Sequence, residues 1–359
     1  MFRYEEIFNS LCIRINNGEF NGRLFPTENK LASEYGVSRI TVRAALDMLE
    51  KEGKIERKAG KGTYLSEQNI TPKKKKLIGV LLCKIDAAFG LDALVGIEKQ
   101  AEAEGYSVIL KLSYDRQDNE EKMLNELVET GVDGIIYQSC HGDYTKAAMN
   151  LAGSDFPLVA IDRNPEKIPI SSVFTDNYGA SYELTDYLYS LGHRNIALVT
   201  IPTSFASSIE KRSDGFKRCC FDHGLPMTDE NFVTDIVSPI TQNEKDRQKD
   251  KAKVKAYVLK HPEITAFVAT ERRAALIVQE ILDELKLNCP ENYSLVCFDS
   301  EPVYGKNVMV THIKQNQDEM GKKAVKLLID RINNGGAQTQ HIYVRGYLCS
   351  GGTTARPKR

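Results

Sequence analysis

The sequence predicts an α/β protein in two parts: a small head of three helices and a β-hairpin, then a body of two doubly wound parallel-sheet lobes. Three observations carry this. The first 66 residues place apolar side chains at helical spacing between glycine and proline breaks. From Leu77 onward, short continuous apolar runs alternate with amphipathic stretches, the pattern of βαβ units whose strands are covered on both faces. The 359-residue chain also exceeds the ~250–300 residues that one hydrophobic core usually reaches.

In the head, Ile7, Phe8, Leu11 and Ile15 line one face of a helix over Tyr4–Asn16. Gly18 and Gly22 break the chain, and Pro26-Thr27-Glu28 opens a second helix, capped by Thr27, that runs to Tyr35. Gly36 ends it, since glycine accepts the left-handed conformation just past a helix. Ser38 caps a third helix, Arg39–Lys51, with Val42, Leu46 and Leu49 facing inward and Gly53 stopping it. Lys54–Lys58 and Thr63–Ser66 read as strands joined through Ala59-Gly60-Lys61-Gly62, whose glycines permit positive φ. This is the winged helix-turn-helix layout, and residues 1–66 are assigned to a DNA-binding domain. Residues 67–76 contain Pro72 and four consecutive lysines without apolar period, and read as a linker, a solvated tether that adds phosphate attraction close to DNA.

Residues 77–359 form the body. Its expected strands are Leu77–Cys83, Ser107–Leu112, Gly134–Gln138, Leu158–Ile161, Asn195–Thr200, Phe232–Ile236, Ala266–Thr270 and Ser294–Phe298. Helices such as Leu91–Glu104, Asn119–Thr130, Ser181–Leu191 and Arg273–Leu285 lie between them. Lobe one is expected over about 77–173 and 303–334, lobe two over about 174–302 and 335–359. Ligands of such sheets bind beyond the carboxyl ends of the strands, which directs attention to the loops there.

Composition narrows the function. Hydrophobic content of 42% and charged content of 27% are ordinary for a soluble globular chain. No apolar run approaches the ~18–20 residues of a membrane span, and residues 1–6 lack a secretory pattern, so no membrane partner and a cytoplasmic location are expected. The eight cysteines include no CxxC pair and no Cys/His cluster; they read as reduced core thiols, with no metal site or cofactor expected. The net charge of −1 hides an asymmetry: residues 1–76 hold 15 basic against 10 acidic residues, the remainder 33 against 39. A basic head on an acidic body implies a polyanionic partner for the head. An enzyme is not expected, because GxGxxG, Walker, GxSxG and HExxH motifs are missing and no nucleophile–base pair is suggested. Gly60-Lys61-Gly62-Thr63 does not make a phosphate loop, since the Lys-[Ser/Thr] step is interrupted.

Chemistry in the head concentrates on one stretch. Arg39, Thr41 and Arg43 lie at the start of the third helix, where a recognition helix meets base edges. Arginine can take guanine O6 and N7 bidentately, and Thr41 can reach a phosphate or a thymine methyl. Glu28 either accepts from cytosine N4 or orients an arginine, and Lys61 enters a minor groove or sits on phosphate. Leu24-Phe25-Pro26-Thr27-Glu28, Gly36-Val37-Ser38-Arg39-Ile40-Thr41-Val42-Arg43 and Gly60-Lys61-Gly62-Thr63 together resemble the N-terminal domain of the GntR family. Thr27 and Phe25 are mild departures. The resemblance implies DNA contact by Glu28, Ser38, Arg39, Thr41, Arg43, Lys61 and Gly62.

The body carries Gly96-Ile97-Glu98, Val132-Asp133-Gly134, Ala160-Ile161-Asp162-Arg163, Thr175-Asp176-Asn177, Leu191-Gly192-His193, Arg212-Ser213-Asp214-Gly215-Phe216, Val296-Cys297-Phe298-Asp299 and Thr311-His312-Ile313-Lys314-Gln315. These resemble the LacI/GalR effector domain, which is similar to type I periplasmic sugar-binding proteins. Together with a GntR-like head they resemble the arabinose-repressor subfamily. A sugar site needs planar hydrogen-bonding groups and an aromatic face. The resemblance implies that Asp162, Arg163, Arg212, Asp299 and Gln315 bind the effector, with Phe89 as the aromatic face.

Two segments depart from that pattern. Ala269-Thr270-Glu271-Arg272-Arg273 stands where relatives have Asn-Asp, so Glu271 either replaces a polar ligand or belongs to a shifted loop. Lys84 reads as a surface lysine or as a contact to an acidic or phosphorylated effector. Asp176, Asn177 and His193 read as structural. The implied protein is a homodimeric repressor on a pseudo-palindromic operator, released by a pentose or deoxyhexose such as L-arabinose or L-fucose. Transport-type solute binding and a sugar- or nucleotide-active enzyme are the rival readings.

Overall fold

The computed structural model describes residues 3–16, 19–20, 24–58, 61–66, 76–85, 89–140, 144–163, 168–203, 206–299, 309–335 and 338–358. The chain divides into two units, Met1–Lys76 and Leu77–Arg359.

The first unit holds α1 (Arg3–Asn16), α2 (Glu28–Tyr35), α3 (Arg39–Lys51), β1 (Ile55–Lys58) and β2 (Gly62–Leu65). Leu11, Leu31, Val42, Leu46 and Leu49 are fully buried in one cluster, so the helical stripes of the sequence do converge. Thr27 caps α2 by accepting from the Lys30 amide, and Ser38 caps α3 by accepting from the Thr41 amide at 3.2 Å. Each cap satisfies an amide that a helix start otherwise leaves unpaired, worth ~1 kcal/mol. The strands pair antiparallel, Ile55 opposite Leu65 and Lys58 opposite Gly62. Gly62 sits at φ +109°, and a β-carbon there would meet Leu24 at 3.0 Å, so the wing needs glycine for both conformation and space. The linker assigned to residues 67–76 lies outside the described residues except for Lys76, which opens the next strand.

The second unit continues with β3 (Lys76–Leu82), α4 (Leu91–Ala103), β4 (Tyr106–Leu112), α5 (Gln117–Thr130), β5 (Gly134–Tyr137), α6 (Lys146–Ala152), β6 (Leu158–Ile161) and β7 (Ser171–Thr175). Then come α7 (Asn177–Ser190), β8 (Ile196–Val199), α8 (Ser207–Asp222), β9 (Phe232–Val233), α9 (Ser238–Thr241), α10 (Glu244–Lys260), β10 (Ala266–Ala269), α11 (Arg272–Glu284) and β11 (Ser294–Phe298). The chain closes with β12 (Thr311–Lys314), α12 (Gln317–Asn334), β13 (His341–Val344) and β14 (Tyr347–Cys349). Two six-stranded sheets result, in the orders β13-β7-β6-β5-β3-β4 and β14-β12-β11-β10-β8-β9. Buried residues of α4 and α12 pack on one face of the first sheet, those of α5 and α6 on the other. The second sheet is covered by α10 and α11 on one face and α7 and α8 on the other. Helices on both faces explain the near-continuous apolar strands.

The chain passes between the sheets three times: after Thr175, after Lys314 and after Val344. The lobe boundaries expected from sequence therefore need correction. β12 falls in the stretch expected for lobe one yet pairs parallel with β11 of the second sheet. β13 falls in the stretch expected for lobe two yet pairs with β7 of the first. Both strands are short four-residue pieces, and their partners are set by long-range pairing rather than by local pattern. Two further elements were not visible in sequence. All five residues of β7 are buried, although it opens on two serines. The charge-rich α10 is anchored by Val254, Val258 and the buried Asp250, whose carboxylate accepts from the Ser238 amide at 2.7 Å. Among the described residues, no helix is long and apolar enough to cross a membrane.

Candidate functional site

The recognition helix α3 begins at the Ser38 cap, which leaves Arg39 and Arg43 on the surface with side chains 62% and 56% exposed. Glu28 opens α2 and meets them. Arg43 donates Nε to Glu28 Oε1 at 3.0 Å and Nη2 to Oε2 at 2.8 Å, while Arg39 Nη2 lies 3.6 Å from the same carboxylate. The Arg43 guanidinium holds the Glu28 carboxyl below its ordinary range. Of the two roles expected for Glu28, the unbound geometry has it orienting an arginine. An exposed pair of this kind adds little stability. It fixes the plane of the fork, and Arg43 spends two of its five N–H donors on Glu28. The Ser38 and Thr41 hydroxyls lie 2.9 Å apart. Lys61 is exposed in the turn before β2, with its carbonyl held by the Tyr64 hydroxyl at 3.0 Å. Ala59 and Gly60 lie outside the described residues. Ile40 is a candidate the sequence reading missed. It is 81% exposed between Arg39 and Thr41, and an apolar side chain there suits a thymine methyl.

In the second unit, all seven expected effector residues line one cavity of about 460 Å³: Phe89, Asp162, Arg163, Arg212, Glu271, Asp299 and Gln315. Six of them follow the carboxyl ends of strands in the two sheets, and Arg212 reaches in from α8. Asp162 directly follows β6 and Asp299 directly follows β11, at φ +69° and +59°. Aspartate tolerates this left-handed conformation better than most residues. In both cases the amide still continues the ladder, Asp162 donating to Val173 at 2.9 Å and Asp299 to Ile313 at 3.0 Å. Each carboxylate accepts from a glutamine at 2.8 Å: Gln138 Nε2 on Asp162, Gln315 Nε2 on Asp299. Gln315 also accepts from the Thr175 hydroxyl at 2.6 Å, so it ties Asp299 to another segment where the chain crosses between lobes.

Arg212 is the buried cation of the site. Its Nε donates to Asn177 Oδ1 at 2.8 Å and Nη1 to the Thr270 carbonyl at 2.7 Å, with the guanidinium carbon 3.9 Å from the Phe298 ring centre. Arg163 donates to the carbonyls of Ser139 and Cys140. Glu271 caps α11, accepting from the Arg273 and Ala274 amides. The loop is not shifted out of the cavity, but both carboxylate oxygens are committed to the helix start. Burial pushes Asp299 up to about 6, against the opposing pull of Arg212. It raises Asp162 and Glu271 as well, and it lowers Arg212. Lys84 reaches the cavity wall and lies 3.3 Å from Asp115.

Gln138 and Phe298 also line the cavity and Asn177 holds Arg212 from behind, none of them singled out as a ligand or support by the sequence pattern. Gln138 and Phe298 stand at the carboxyl ends of β5 and β11, the signal that could have found them. Asp176 does cap α7, accepting from the Gly179 amide at 2.9 Å, whereas Asn177 has the further task of holding Arg212. His193 is buried and joins Thr265, Ser294 and the Ala355 carbonyl, in keeping with a structural part.

Residues 3–65 match the gntR family of bacterial regulatory proteins, and residues 185–354 match the periplasmic binding protein-like domain. The chain joins a GntR-type helix-turn-helix domain to a periplasmic-binding-protein-like domain. It is 28% identical, over 86% of its length and 84% of the relative's, to the arabinose metabolism transcriptional repressor of Geobacillus stearothermophilus. The transcription regulator CcpA of Lactococcus lactis superposes with a TM-score of 0.66 at 20% identity, covering 78% of this chain and all (100%) of that one. A LacI family transcriptional regulator from Enterococcus faecium with bound ribose gives 0.62 at 25% identity, covering 79% and 100%. The GntR-type domain thus contains the Glu28–Arg43 pair, and the periplasmic-binding-protein-like fold contains the cavity.

Proposed function

We propose that this protein is a cytoplasmic, non-enzymatic repressor of carbohydrate-utilisation genes, which leaves its operator when a small sugar fills the cavity. The observation that carries the reading is the convergence of Asp162, Arg163, Arg212 and Asp299 with Phe89 on one cavity of about 460 Å³. Paired carboxylates and arginine forks suit vicinal hydroxyls, and the aromatic ring suits the C–H face of a pyranose. The relative named as an arabinose metabolism repressor and the neighbour with bound ribose support a pentose; a 6-deoxyhexose in its pyranose form offers the same number of hydroxyls. In the head, Ser38, Arg39, Thr41 and Arg43 read bases and phosphate from α3, Glu28 aims Arg43, and Lys61 with Gly62 forms the wing contact. A homodimer places two heads on a pseudo-palindromic operator. A coupling of ~1–3 kcal/mol between sugar and operator weakens DNA binding ~5–150-fold.

A second reading, a phosphorylated sugar, draws on Lys84, Arg163, Arg212, Arg272 and Arg273 around the cavity. One assay separates the readings: a gel shift at fixed salt on the operator, with neutral sugars and sugar phosphates added in turn. Arg43→Ala is expected to lose ~10–100-fold in operator affinity, at ~1–3 kcal/mol per bidentate base contact, while keeping its non-specific binding. Full specificity in that variant rejects the recognition-helix assignment, and turnover of a sugar rejects the regulator reading.

A further inference from the structure

Asp186 on α7, Cys219 on α8 and His223 just past the end of α8 bring an oxygen, a sulfur and a nitrogen within 4.8 Å of one another. We propose that this trio is a binding site for a zinc-class divalent ion, which shares no residue with the sugar cavity although Cys219 stands on the same helix as Arg212. Cysteine and histidine four apart fall on one face of a helix, so the spacing that lacks a CxxC pair still presents two ligands together. The imidazole is oriented for the task. Tyr189 stacks on its face at 3.8 Å and 13°, and at the ring edge His223 Nε2 donates to Asp186 Oδ1 at 2.7 Å. An ion would take the place of that shared proton.

The two helices that carry the ligands are held closely together. A β-carbon on Gly215 of α8 would lie 2.2 Å from the Tyr178 carbonyl of α7, so only glycine permits this approach. The cysteine is buried, whereas the Asp186 and His223 side chains are 49% and 24% exposed, giving an ion a way in from solvent. Neighbouring Asp222 is engaged with Arg218 at 2.9 Å. A thiolate, an imidazole and a carboxylate suit zinc or cobalt rather than magnesium or calcium, with solvent as the fourth ligand. On binding, the thiol proton leaves to solvent and the imidazole proton moves to Nδ1, so sulfur and nitrogen each present a lone pair. α8 also carries Arg212 to the sugar cavity and α7 carries its partner Asn177, so a bound ion clips together the helix of that arginine and the helix of one of its supports.

The test is an anaerobic titration of the reduced, chelator-stripped full-length protein with cobalt(II), followed by displacement with zinc(II). One equivalent per chain is expected, with a thiolate-to-cobalt charge-transfer band that zinc abolishes. Cys219→Ser should lose the band. Asp186→Asn and His223→Gln, whose side chains are partly exposed and whose folding is checked by circular dichroism, should bind at least about tenfold more weakly. Cys349→Ser, on β14, should titrate like the parent. A parent protein without the band overturns the site. So does a band that persists in Cys219→Ser, or unchanged affinity in both His223→Gln and Asp186→Asn, which would leave a plain histidine–aspartate pair beside a bystander thiol.

Discussion

The two lobes end corresponding strands in the same way and support them differently. Each places an aspartate in the left-handed region after a buried strand and fastens its carboxylate to a glutamine at 2.8 Å. Lobe one then adds Arg163, partly buried and bonded to two backbone carbonyls. Lobe two adds Arg212, buried, stacked on Phe298 and bonded to Asn177 and the Thr270 carbonyl. Lobe two therefore fixes its arginine more deeply than lobe one does, with Arg212 buried and held by a side chain, a carbonyl and a ring face before a ligand arrives. Preorganised groups lose less freedom on binding, so the second lobe should supply most of the affinity.

The largest expected effect follows from removing the buried cation. Arg212→Ala takes away the charge that opposes the burial of Asp299 and strands the buried Asn177 amide oxygen and Thr270 carbonyl, and each buried group left unpaired costs about 1–3 kcal/mol. Sugar affinity by calorimetry should fall at least ~100-fold, and the melting temperature of the second unit should drop by several degrees. Arg163→Ala should weaken sugar binding ~10-fold with a smaller drop in melting temperature than Arg212→Ala, since Arg163 is only partly buried. Equal destabilisation by both variants would erase the distinction between the lobes.

How much of this was legible in the sequence follows the same line between local and long-range order. The head was readable because its determinants are local: Thr27 and Ser38 cap the helices they precede, and Gly62 fits its positive φ. Asp162 and Asp299 were readable because a polar residue directly after an apolar run marks the open end of a parallel strand. The lobe membership of β12 and β13 was not readable, because strand pairing across the crossovers depends on partners far along the chain. Asn177 looked like a helix cap, and only the packing of α7 on α8 turns it toward Arg212. The glutamine partner of Asp162 lay at the end of an expected strand, and the direction of its side chain had no sequence signal.

A subtler comparison uses the two carboxylates. Asp162→Asn and Asp299→Asn keep shape, and asparagine tolerates the left-handed backbone. Each variant replaces a charged acceptor by a neutral one, and a hydrogen bond to a charged group is worth ~1.5–3 kcal/mol, so affinity should fall ~10–100-fold. Asp299 is coupled to the buried Arg212 and, through Gln315, to Thr175 at a crossover, so its variant should sit at the upper end and Asp162→Asn at the lower. Calorimetry on both variants with one sugar checks the order, and a larger loss in Asp162→Asn would move the main anchor to lobe one.

The smallest expected effect is the response to acid, and it carries the sign of the ligand. Burial raises Asp299 to about 6, so the free protein takes up a proton there at a pH where an ordinary carboxylate stays ionised. Sugar hydroxyls donate to the ionised form, so binding pulls this pKa down and affinity falls as the pH drops through 6. With a free-state value of about 6, roughly a quarter of the sites are ionised at about pH 5.5 and nearly all at about pH 7.5, which gives about a fourfold loss on acidification. A ligand that accepts from the protonated acid, as a phosphate would, reverses the sign: its affinity rises in acid as long as its own charge is unchanged. Calorimetry at the two pH values, repeated on Asp299→Asn, separates the cases, because the pH response assigned to Asp299 should vanish in that variant while any contribution from Asp162 and Glu271 stays.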